Sequence, residues 1–486
     1  MENKIHVQPP VKYTGLKQTS LPDYAGGIKA IESSLRHVFR QTGLSEGVQM
    51  LAQVNQFNGF DCPGCAWPDP DEDRSFVEFC ENGAKAVAEE GTRAKVDPDF
   101  FNTYSVQELS TWSDYELGKA GRITHPLKLV GNHYKPKEWE SAFNEIGLHL
   151  NSLDSPDEAT FYTSGRTSNE AAFMYQLFVR QFGTNNLPDC SNMCHESSGA
   201  ALSETVGIGK GSVTLDDFYK TDLIVILGQN PGTNHPRMLA ALEKAKKNGA
   251  RIITINPLRE AGLLKFKHPQ HPIKAIGAGT SLTDLYLQVK VNGDVPLLKA
   301  IMIHLLERDK TEDILDHEFI KHETTGFSDM VQSLEEYNLQ TLYSACGISE
   351  GQVLDAVEMI ADADKIIMCW AMGLTQHKNA VDNIREVVNI LLMKGSIGKP
   401  GAGTCPVRGH SNVQGDRTVG IWEHLTPALH AKLKSNYAFE PPSEDGHDVV
   451  GSIEAMAKGE VKAFVAMGGN FLSAAPDTEK TAQALM

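Results

Sequence analysis

The sequence has 486 residues, more than one typical domain of roughly 100–150 residues, and this length predicts several domains. Its 41% of hydrophobic and 22% of charged residues exclude a disordered chain, and its net charge of −17 argues against a general surface for nucleic acids or anionic membranes. No apolar run approaches the ~20 residues of a membrane-spanning helix, and the first residues show no leader pattern. We therefore expect a cytoplasmic protein without a membrane span, in which the cysteines stay reduced.

The N-terminal third predicts few regular elements. Residues 1–25, rich in Pro, Lys and Gln, are typical of an extended arm, and residues 28–41 predict a helix. The acidic and proline-rich stretch at 68–73 excludes a regular element, whereas Ser105 and Glu108 have the spacing of a helix capping box.

From residue 138 onwards, helical and strand patterns alternate, which predicts an α/β fold with doubly wound parallel sheets. We expect three parts: an N-terminal arm and cysteine-containing region over 1–135, an α/β core with two interleaved nucleotide-binding-like subdomains over 136–415, and a continuation of the core over 416–486. The end, 477–486, predicts a helix without a stop signal, so a further domain is expected to follow it. Helices are predicted over 138–152, 169–182, 236–248, 296–307, 350–361 and 380–393, and strands over 160–163, 222–227, 251–255, 365–370 and 463–467.

Two strands end in the same short pattern. The strand at 223–227 runs into Gly228-Gln229-Asn230, and the strand at 463–467 runs into Gly468-Gly469-Asn470. Ligands of open α/β sheets bind at the carboxyl ends of the strands, where glycine permits close approach. The repeat therefore indicates two nucleotide-like sites or one ligand with two nucleotide arms, although two ordinary strand-to-helix turns would give the same pattern.

The first group of cysteines consists of Cys62 and Cys65, separated by Pro and Gly, and of Cys80, with fourteen residues between Cys65 and Cys80. A Cys-x-x-Cys loop can place two thiolates on one metal ion or iron–sulfur cluster. A thioredoxin-like pair and ordinary structural thiols remain alternatives, because the sequence contains no nearby fourth cysteine.

Two later loops carry further candidate groups. Cys194 and His195 would supply a soft thiolate and a titratable base, unless they are a buried cysteine beside a surface histidine. The glycine-bounded loop at 406–415 contains Arg408, Asn412 and Gln414, which suit an anionic or amide-rich ligand or form an ordinary polar surface loop.

Together these motifs resemble the molybdenum- and tungsten-dependent bis-pterin oxidoreductases, and within them the branch of the formate dehydrogenase alpha subunits. The resemblance extends from about residue 62 to the end of the chain. Its characteristic stretches are SGRTSNE (164–170), GTNN (183–186), MCH (193–195), GQNPGTNHP (228–236), MGLTQ (372–376) and RGHSNVQG (408–415).

The resemblance implies a multidomain molybdopterin oxidoreductase fold that binds a Mo-bis(molybdopterin guanine dinucleotide). Cys194 matches the metal-coordinating residue, His195 the active-site histidine, and Arg408 the arginine near the reacting carboxylate. Lys85 lies where the family has a lysine between cluster and pterin. The remaining positions that correspond to pterin contacts are Arg166, Gly228, Asn230, His235, Asn256, Met372, Gln376, Gly409, Asn412 and Gln414.

The sequence departs from the family pattern in two places. The family's N-terminal [4Fe–4S] motif has four cysteines, whereas here Cys62 and Cys65 keep the pattern and Cys80 corresponds to a displaced third ligand. The family also continues into a C-terminal barrel-like domain, before which this sequence stops.

The leading hypothesis is a two-electron oxidation of formate, with electrons passing through a pterin and a cluster to an acceptor protein or carrier. A catalytically inactive scaffold or electron-transfer subunit with the same fold is the alternative. A zinc-binding redox protein that uses Cys62 and Cys65 is a third possibility.

Overall fold

The structure, a computed structural model, describes residues 20, 22–72 and 74–486. The predicted arm therefore lies largely outside the described residues, as does Asp73 at the end of the predicted irregular stretch. Residues 68–72 contain no helix or strand, as the sequence predicts. None of the described helices is both long and apolar enough to cross a membrane.

Up to residue 136 the described elements are short apart from the helices α1, α2 and α3, and the predicted first helix is confirmed as α1. The predicted capping box is also present, because the Glu108 amide donates to Ser105 Oγ (3.2 Å) and the Ser105 amide donates to the Glu108 carboxylate (2.8 Å). The elements are β1 (Ala25–Gly26), α1 (Gly27–Thr42), α2 (Leu44–Gln53), α3 (Glu81–Glu90), β2 (Lys95–Val96), α4 (Pro98–Thr103), α5 (Val106–Leu109), α6 (Asp114–Ala120), β3 (Arg122–Ile123), β4 (Leu127–Val130) and β5 (His133–Pro136).

The next part alternates helices and strands as predicted. Helix α8 has its predicted bounds because Ser168 caps its first turn and Gly183 adopts a left-handed conformation (φ 117°) after its last residue. The elements are α7 (Trp139–Asn151), β6 (Ala159–Thr163), α8 (Asn169–Phe182), α9 (Glu196–Val206), β7 (Leu223–Leu227), α10 (Pro231–Asn234), α11 (Pro236–Lys247), β8 (Arg251–Ile255), α12 (Ala261–Leu264), β9 (Lys265–Lys267), α13 (Pro272–Ile276), β10 (Thr280–Ser281) and β11 (Leu285–Leu287).

A run of helices then leads back to the sheet. The elements are α14 (Asp294–Glu312), α15 (His317–Glu323), α16 (Phe327–Glu335), α17 (Leu339–Cys346), α18 (Glu350–Ala361), β12 (Ile366–Trp370), α19 (Met372–Thr375), α20 (Ala380–Met393), β13 (Gly403–Pro406), α21 (Val413–Thr418), α22 (Pro427–Tyr437), α23 (Val449–Lys458), β14 (Ala463–Met467), α24 (Phe471–Ala474) and α25 (Thr478–Ala484). Three short 3₁₀ helices lie at Pro156–Glu158, Cys190–Met193 and Asp216–Tyr219.

The centre of the core is a five-stranded, entirely parallel sheet with the strand order β11-β8-β7-β12-β13. Strands β7 and β12 are fully buried, since apolar clusters cover both faces. The chain builds the sheet outward from β7 in one direction and from β12 in the other. This arrangement confirms the predicted doubly wound α/β fold and makes the β7–β12 pair a topological switch point, where such sheets bind ligands.

A second, two-stranded parallel sheet pairs β6 with β14. Beyond it, Asn470 caps α24 by accepting from the Ser473 amide, as Asn230 caps α10 by accepting from the Thr233 amide, each at 3.2 Å. The two Gly-x-Asn ends are therefore alike in structure as well as in sequence, but they lie on different sheets.

Candidate active site

A cavity of about 910 Å³ opens at the carboxyl ends of the central strands. Its walls come from the loops that follow β7, β8, β12 and β13, together with Arg166 from the loop after β6 and the N-terminal cysteine region. Twelve of the residues selected from the sequence line it: Cys62, Cys65, Cys80, Lys85, Arg166, Cys194, Gly228, Asn230, His235, Asn256, Met372 and Gly409. His195, Gln376, Arg408, Asn412 and Gln414 lie outside its lining.

At the switch point, the backbones of Gly228 and Gly373 are in direct contact. The Gly373 amide donates to the Gly228 carbonyl (3.0 Å), and a Cβ atom on Gly228, whose φ is +55°, would stand 2.8 Å from the Gly373 backbone. Only glycine fits both demands, close approach and positive φ. Nearby, Asn256 donates to the Leu258 carbonyl (2.8 Å), which holds the loop after β8.

Cys194 lies directly after the short helix Cys190–Met193, which Asp189 caps. Its Sγ atom is 3.2 Å from Met372 Sδ, and this contact brings the loop to the end of β12. Burial raises the pKa of the Cys194 thiol, while the positive charge of Arg408 opposes this shift. The soft sulfur ligand Cys194 is thus buried beside the positive charge of Arg408. This charge favours the thiolate form of Cys194, in which a metal replaces the proton.

Gln376 holds the backbone of this loop. Its amide nitrogen donates to the carbonyl oxygens of Met193 and Cys194, both at 3.2 Å. Its side chain therefore fixes the position of Cys194, and it remains a proposal that Gln376 contacts a pterin.

His195 is fully buried, against the interpretation of a surface histidine. Its Nδ1 atom is 2.9 Å from Ser198 Oγ, which accepts a hydrogen bond from Trp370 Nε1 (3.0 Å). Burial, reinforced by the charge of Arg408, lowers the pKa of His195 to about 3. The imidazole is therefore neutral at neutral pH.

Arg408 is also buried, with 6% of its surface exposed. Its guanidinium donates to the Gly209 carbonyl (3.1 Å), and its own carbonyl accepts from His235 Nε2 (2.8 Å). Because a carbonyl can only accept, His235 carries its proton on Nε2 and leaves Nδ1 as an acceptor. Among the described residues, no carboxylate forms a salt bridge with Arg408.

The loop after β13 is tied to the loop after β6. Asn412 donates to the Thr167 carbonyl (2.6 Å) and to Asn169 Oδ1 (2.9 Å). Cys190 Sγ accepts from the Gly165 amide (3.1 Å) and lies 3.3 Å from His410 Nδ1. Asn412 and Cys190 thus join three of the loops around the cavity. Gln414 lies on α21 next to this junction, with its carbonyl accepting from Thr418 Oγ1 (2.7 Å).

The three N-terminal cysteines come together at one end of the cavity. Cys80 precedes α3 and its Sγ accepts from the Gly83 amide (3.3 Å), while Cys62 Sγ accepts from the Gly64 amide (3.4 Å). Burial raises the pKa of the Cys80 thiol to about 11. The structure thus brings Cys80 to the Cys62–Cys65 loop, as the displaced third position requires.

Sequence reasoning missed a group of buried charges behind Cys194. Arg417 binds Asp189 and Glu196, and Asp416 lies fully buried beside Asp189. Burial, with the charge of Asp189, raises the pKa of Asp416 to about 8. The only available signal was the position of Asp189 and Glu196 on either side of Cys194, since Arg417 is distant in sequence.

Comparison with known proteins agrees with this geometry. The sequence model of the molybdopterin oxidoreductase family matches residues 122–486, and the chain belongs to this family. It is 52% identical over 465 residues to an uncharacterized oxidoreductase of Mycobacterium tuberculosis (strain ATCC 25618 / H37Rv), a match that covers 95% of this chain and 60% of that protein. The chain thus spans about 60% of the length of this relative.

More distant matches carry specific names. The F420-dependent formate dehydrogenase 1 subunit alpha of Methanococcus maripaludis is 28% identical over 415 residues, covering 83% of this chain and 58% of that protein. Among solved structures, acetylene hydratase from Pelobacter acetylenicus superposes with a TM-score of 0.57 at 19% identity, over 74% of this chain and 51% of that one. The similarity to acetylene hydratase shows a shared fold.

Family membership implies a molybdenum–pterin cofactor, and the described residues fit one. Three buried nitrogen atoms of neighbouring side chains have no partner among the described residues: His195 Nε2, His235 Nδ1 and Arg408 Nε. An unsatisfied buried polar atom costs about 1–3 kcal/mol, so their grouping beside a large cavity favours a polar ligand. Because Gly228 and Gly373 have no side chains, their backbone at the switch point is accessible to a polar ligand.

Proposed function

We propose that the chain is the pterin-binding part of a cytoplasmic, molybdenum-dependent oxidoreductase that oxidises formate or a related small carboxylate by two electrons. The distant match to a formate dehydrogenase subunit supports the substrate class. The cofactor, held through Cys194, would accept the electron pair as formate becomes carbon dioxide and a proton.

The buried charge of Arg408, which has no salt-bridge partner among the described residues, carries this proposal. Its guanidinium is buried near Cys194 and forms no salt bridge with a described carboxylate. A buried cation without a directly paired carboxylate is costly, and a bidentate carboxylate would supply both a paired charge and the matching fork of acceptors. An anionic substrate is therefore the expected ligand of Arg408.

His195 is the proposed proton acceptor, and its surroundings determine how readily its imidazole binds a proton. Its low pKa depends on burial first and on Arg408 second. A substrate carboxylate on Arg408 would cancel the second effect and so raise the proton affinity of the imidazole. Binding of an anion would thus make protonation of His195 less unfavourable, which would couple proton transfer to substrate binding.

We further propose that the cofactor carries two guanine dinucleotides. Asn230 and Asn470 use their side-chain oxygens to cap helices, so that each amide nitrogen is free to donate. The contacts proposed for Arg166, Asn256, Met372, Gly409, Asn412 and Gln414 belong to this part of the proposal. Electrons would leave past Lys85 through an iron–sulfur cluster at Cys62, Cys65 and Cys80 to an acceptor protein or carrier.

Cofactor analysis of the protein from a cofactor-competent host tests the proposal. We expect molybdenum or tungsten, released guanine nucleotide, and reduction of a dye by formate. Absence of both metals would refute the assignment. Bound molybdenum without turnover of formate or other small carboxylates would favour the inactive scaffold.

A further inference from the structure

We propose that Cys62, Cys65 and Cys80 are the complete set of protein ligands of an iron–sulfur cluster, whose fourth iron faces the cavity without a side-chain ligand. The inference rests on the cluster of the proposed function and specifies its coordination. It departs from the four-cysteine pattern that the family resemblance implies.

Two of the three sulfur atoms accept a hydrogen bond from the backbone. The donors are the amides of Gly64 for Cys62 (3.4 Å) and Gly83 for Cys80 (3.3 Å). Such N–H···S bonds stabilise thiolates and tune the potentials of iron–sulfur clusters. Cys62 and Cys80 thus share this environment, and Cys65, like them, is a partly buried thiol.

Glycines keep the space between the sulfurs open. A Cβ atom on Gly83 would stand 3.0 Å from Cys62 Sγ and 3.8 Å from Cys80 Sγ, and one on Gly64 would stand 3.2 Å from Cys62 Sγ. Gly83 therefore lies beside both sulfur atoms, and a methyl group there would crowd Cys62 Sγ and come into ordinary contact with Cys80 Sγ.

The separation of the three thiols fits an iron–sulfur cluster better than a single metal ion. The three sulfur atoms do not all lie within 4.8 Å of one another, since the described groups that meet this limit do not include them. Around a single zinc ion, with Zn–S bonds of about 2.3 Å, the sulfurs would lie roughly 4 Å apart. This separation argues against the zinc-binding alternative and favours a cluster.

No described side chain supplies a fourth soft ligand at this end. The other cysteine in the cavity wall, Cys194, contacts Met372. Asp69 is engaged by Arg237 (2.6 Å), whereas the exposed carboxylate of Asp61, which precedes Cys62 in the sequence, also lines the cavity. The fourth iron would therefore take solvent as its ligand.

An iron without a protein ligand is lost on oxidation. One electron passes from [4Fe–4S]²⁺ to ferricyanide, Fe²⁺ leaves, and [3Fe–4S]⁺ remains on the three thiolates. All four sulfides and the three cysteine–iron bonds are retained.

The test reconstitutes the protein anaerobically with iron and sulfide, then adds one equivalent of ferricyanide. We expect release of one of the four irons and the electron paramagnetic resonance signal of a three-iron cluster. A cluster that keeps all its iron under this treatment would overturn the proposal. These readings require neither molybdenum nor formate turnover, so they fail independently of the proposed function.

Variants identify the ligands. Cys80→Ala should lose the cluster, whereas Cys405→Ala, which removes a partly buried thiol outside the cavity, should keep it. Asp61→Asn should bind iron as the parent does, and loss of iron in this variant would show a fourth ligand instead. In the loaded parent, iodoacetamide should spare Cys62, Cys65 and Cys80, and labelling of Cys80 would refute its role without recourse to a mutant.

Discussion

Arg417 and Asp189 form a two-pronged ion pair behind the candidate active site, with Nε to Oδ2 at 2.9 Å and Nη2 to Oδ1 at 2.8 Å. The same guanidinium reaches Glu196 Oε2 at 2.7 Å. Asp189 begins the turn that leads to Cys194, and Glu196 begins the helix after His195. One arginine therefore holds both ends of the segment that carries the proposed metal ligand.

Arg417→Gln should loosen this segment, because it leaves the fully buried Asp189 without its counterion. We expect a loss of about 3–5 kcal/mol in the free energy of unfolding and faster alkylation of Cys194 by iodoacetamide in metal-free protein. The control Arg385→Gln breaks the exposed pair with Glu204 and should cost less than about 1 kcal/mol. Equal alkylation rates in Arg417→Gln and the parent would contradict the positioning role.

Cys194→Ser should leave the fold intact and lower activity severely, since a hard hydroxyl would replace a soft thiolate on molybdenum. Turnover of formate and molybdenum per chain are to be measured in one preparation. Cys405→Ser provides the matched control, and parental turnover in Cys194→Ser would remove this residue from the site.

Arg408→Lys keeps the charge but loses the planar fork that matches a carboxylate. We expect a loss of about 2–5 kcal/mol in transition-state stabilisation, measured as kcat/KM for formate, with parental metal and pterin content. Reduced cofactor occupancy instead would indicate that Arg408 holds a pterin. Full occupancy with full activity would remove the residue-level support for formate.

Gly228→Ala should separate the ends of β7 and β12. The control Gly131→Ala has a similar φ (+63°) but open space around the new methyl group, so it isolates the conformational cost of about 1–2 kcal/mol. The collision with Gly373 should add about 1–3 kcal/mol and lower nucleotide content. Equal unfolding midpoints for the two variants would show that the close contact is not required.

Asp416 should make stability depend on pH. Its pKa is raised from the ordinary value of 3.8 to about 8. Between these two pH values, the folded protein keeps the proton on Asp416, whereas the unfolded chain releases it. The free energy of unfolding should fall as the pH rises from about 5 to about 8, by at most about 1.4 kcal/mol per unit for one proton. Asp416→Asn should remove this slope in urea titrations, and parallel curves for variant and parent would contradict it.

The sequence predicted the long elements well, because their signals are local. The helices α8, α18 and α20 and the strand β8 have their predicted bounds. Strand β13 was missed because it contains Gly403 and Pro406, which ordinarily argue against a strand. It forms by pairing with the buried β12, a tertiary contact that propensity does not report.

Half of the twelve selected residues that line the cavity follow strands of the central sheet, and they meet because strand ends converge in a parallel sheet, which motifs can reveal. The roles of the residues that surround Cys194 could not be predicted from the sequence. Gln376 binds backbone carbonyls beside Cys194, and Arg417 approaches from more than two hundred residues away. Such contacts depend on how separate loops pack. The predicted division into parts at 135 and 415 stays a prediction.

The strand order of the central sheet also determines when its strands can pair during synthesis. Leu223 begins β7, but its neighbour β12 begins only at Ile366, after the run of helices α14 to α18. Pairing across so long an interval is slow, and a ribosome delivers the first half long before the second. The crevice between β7 and β12 therefore cannot exist on a nascent chain until β12 has emerged, so a cofactor that binds there can be inserted only after β12 has paired with β7.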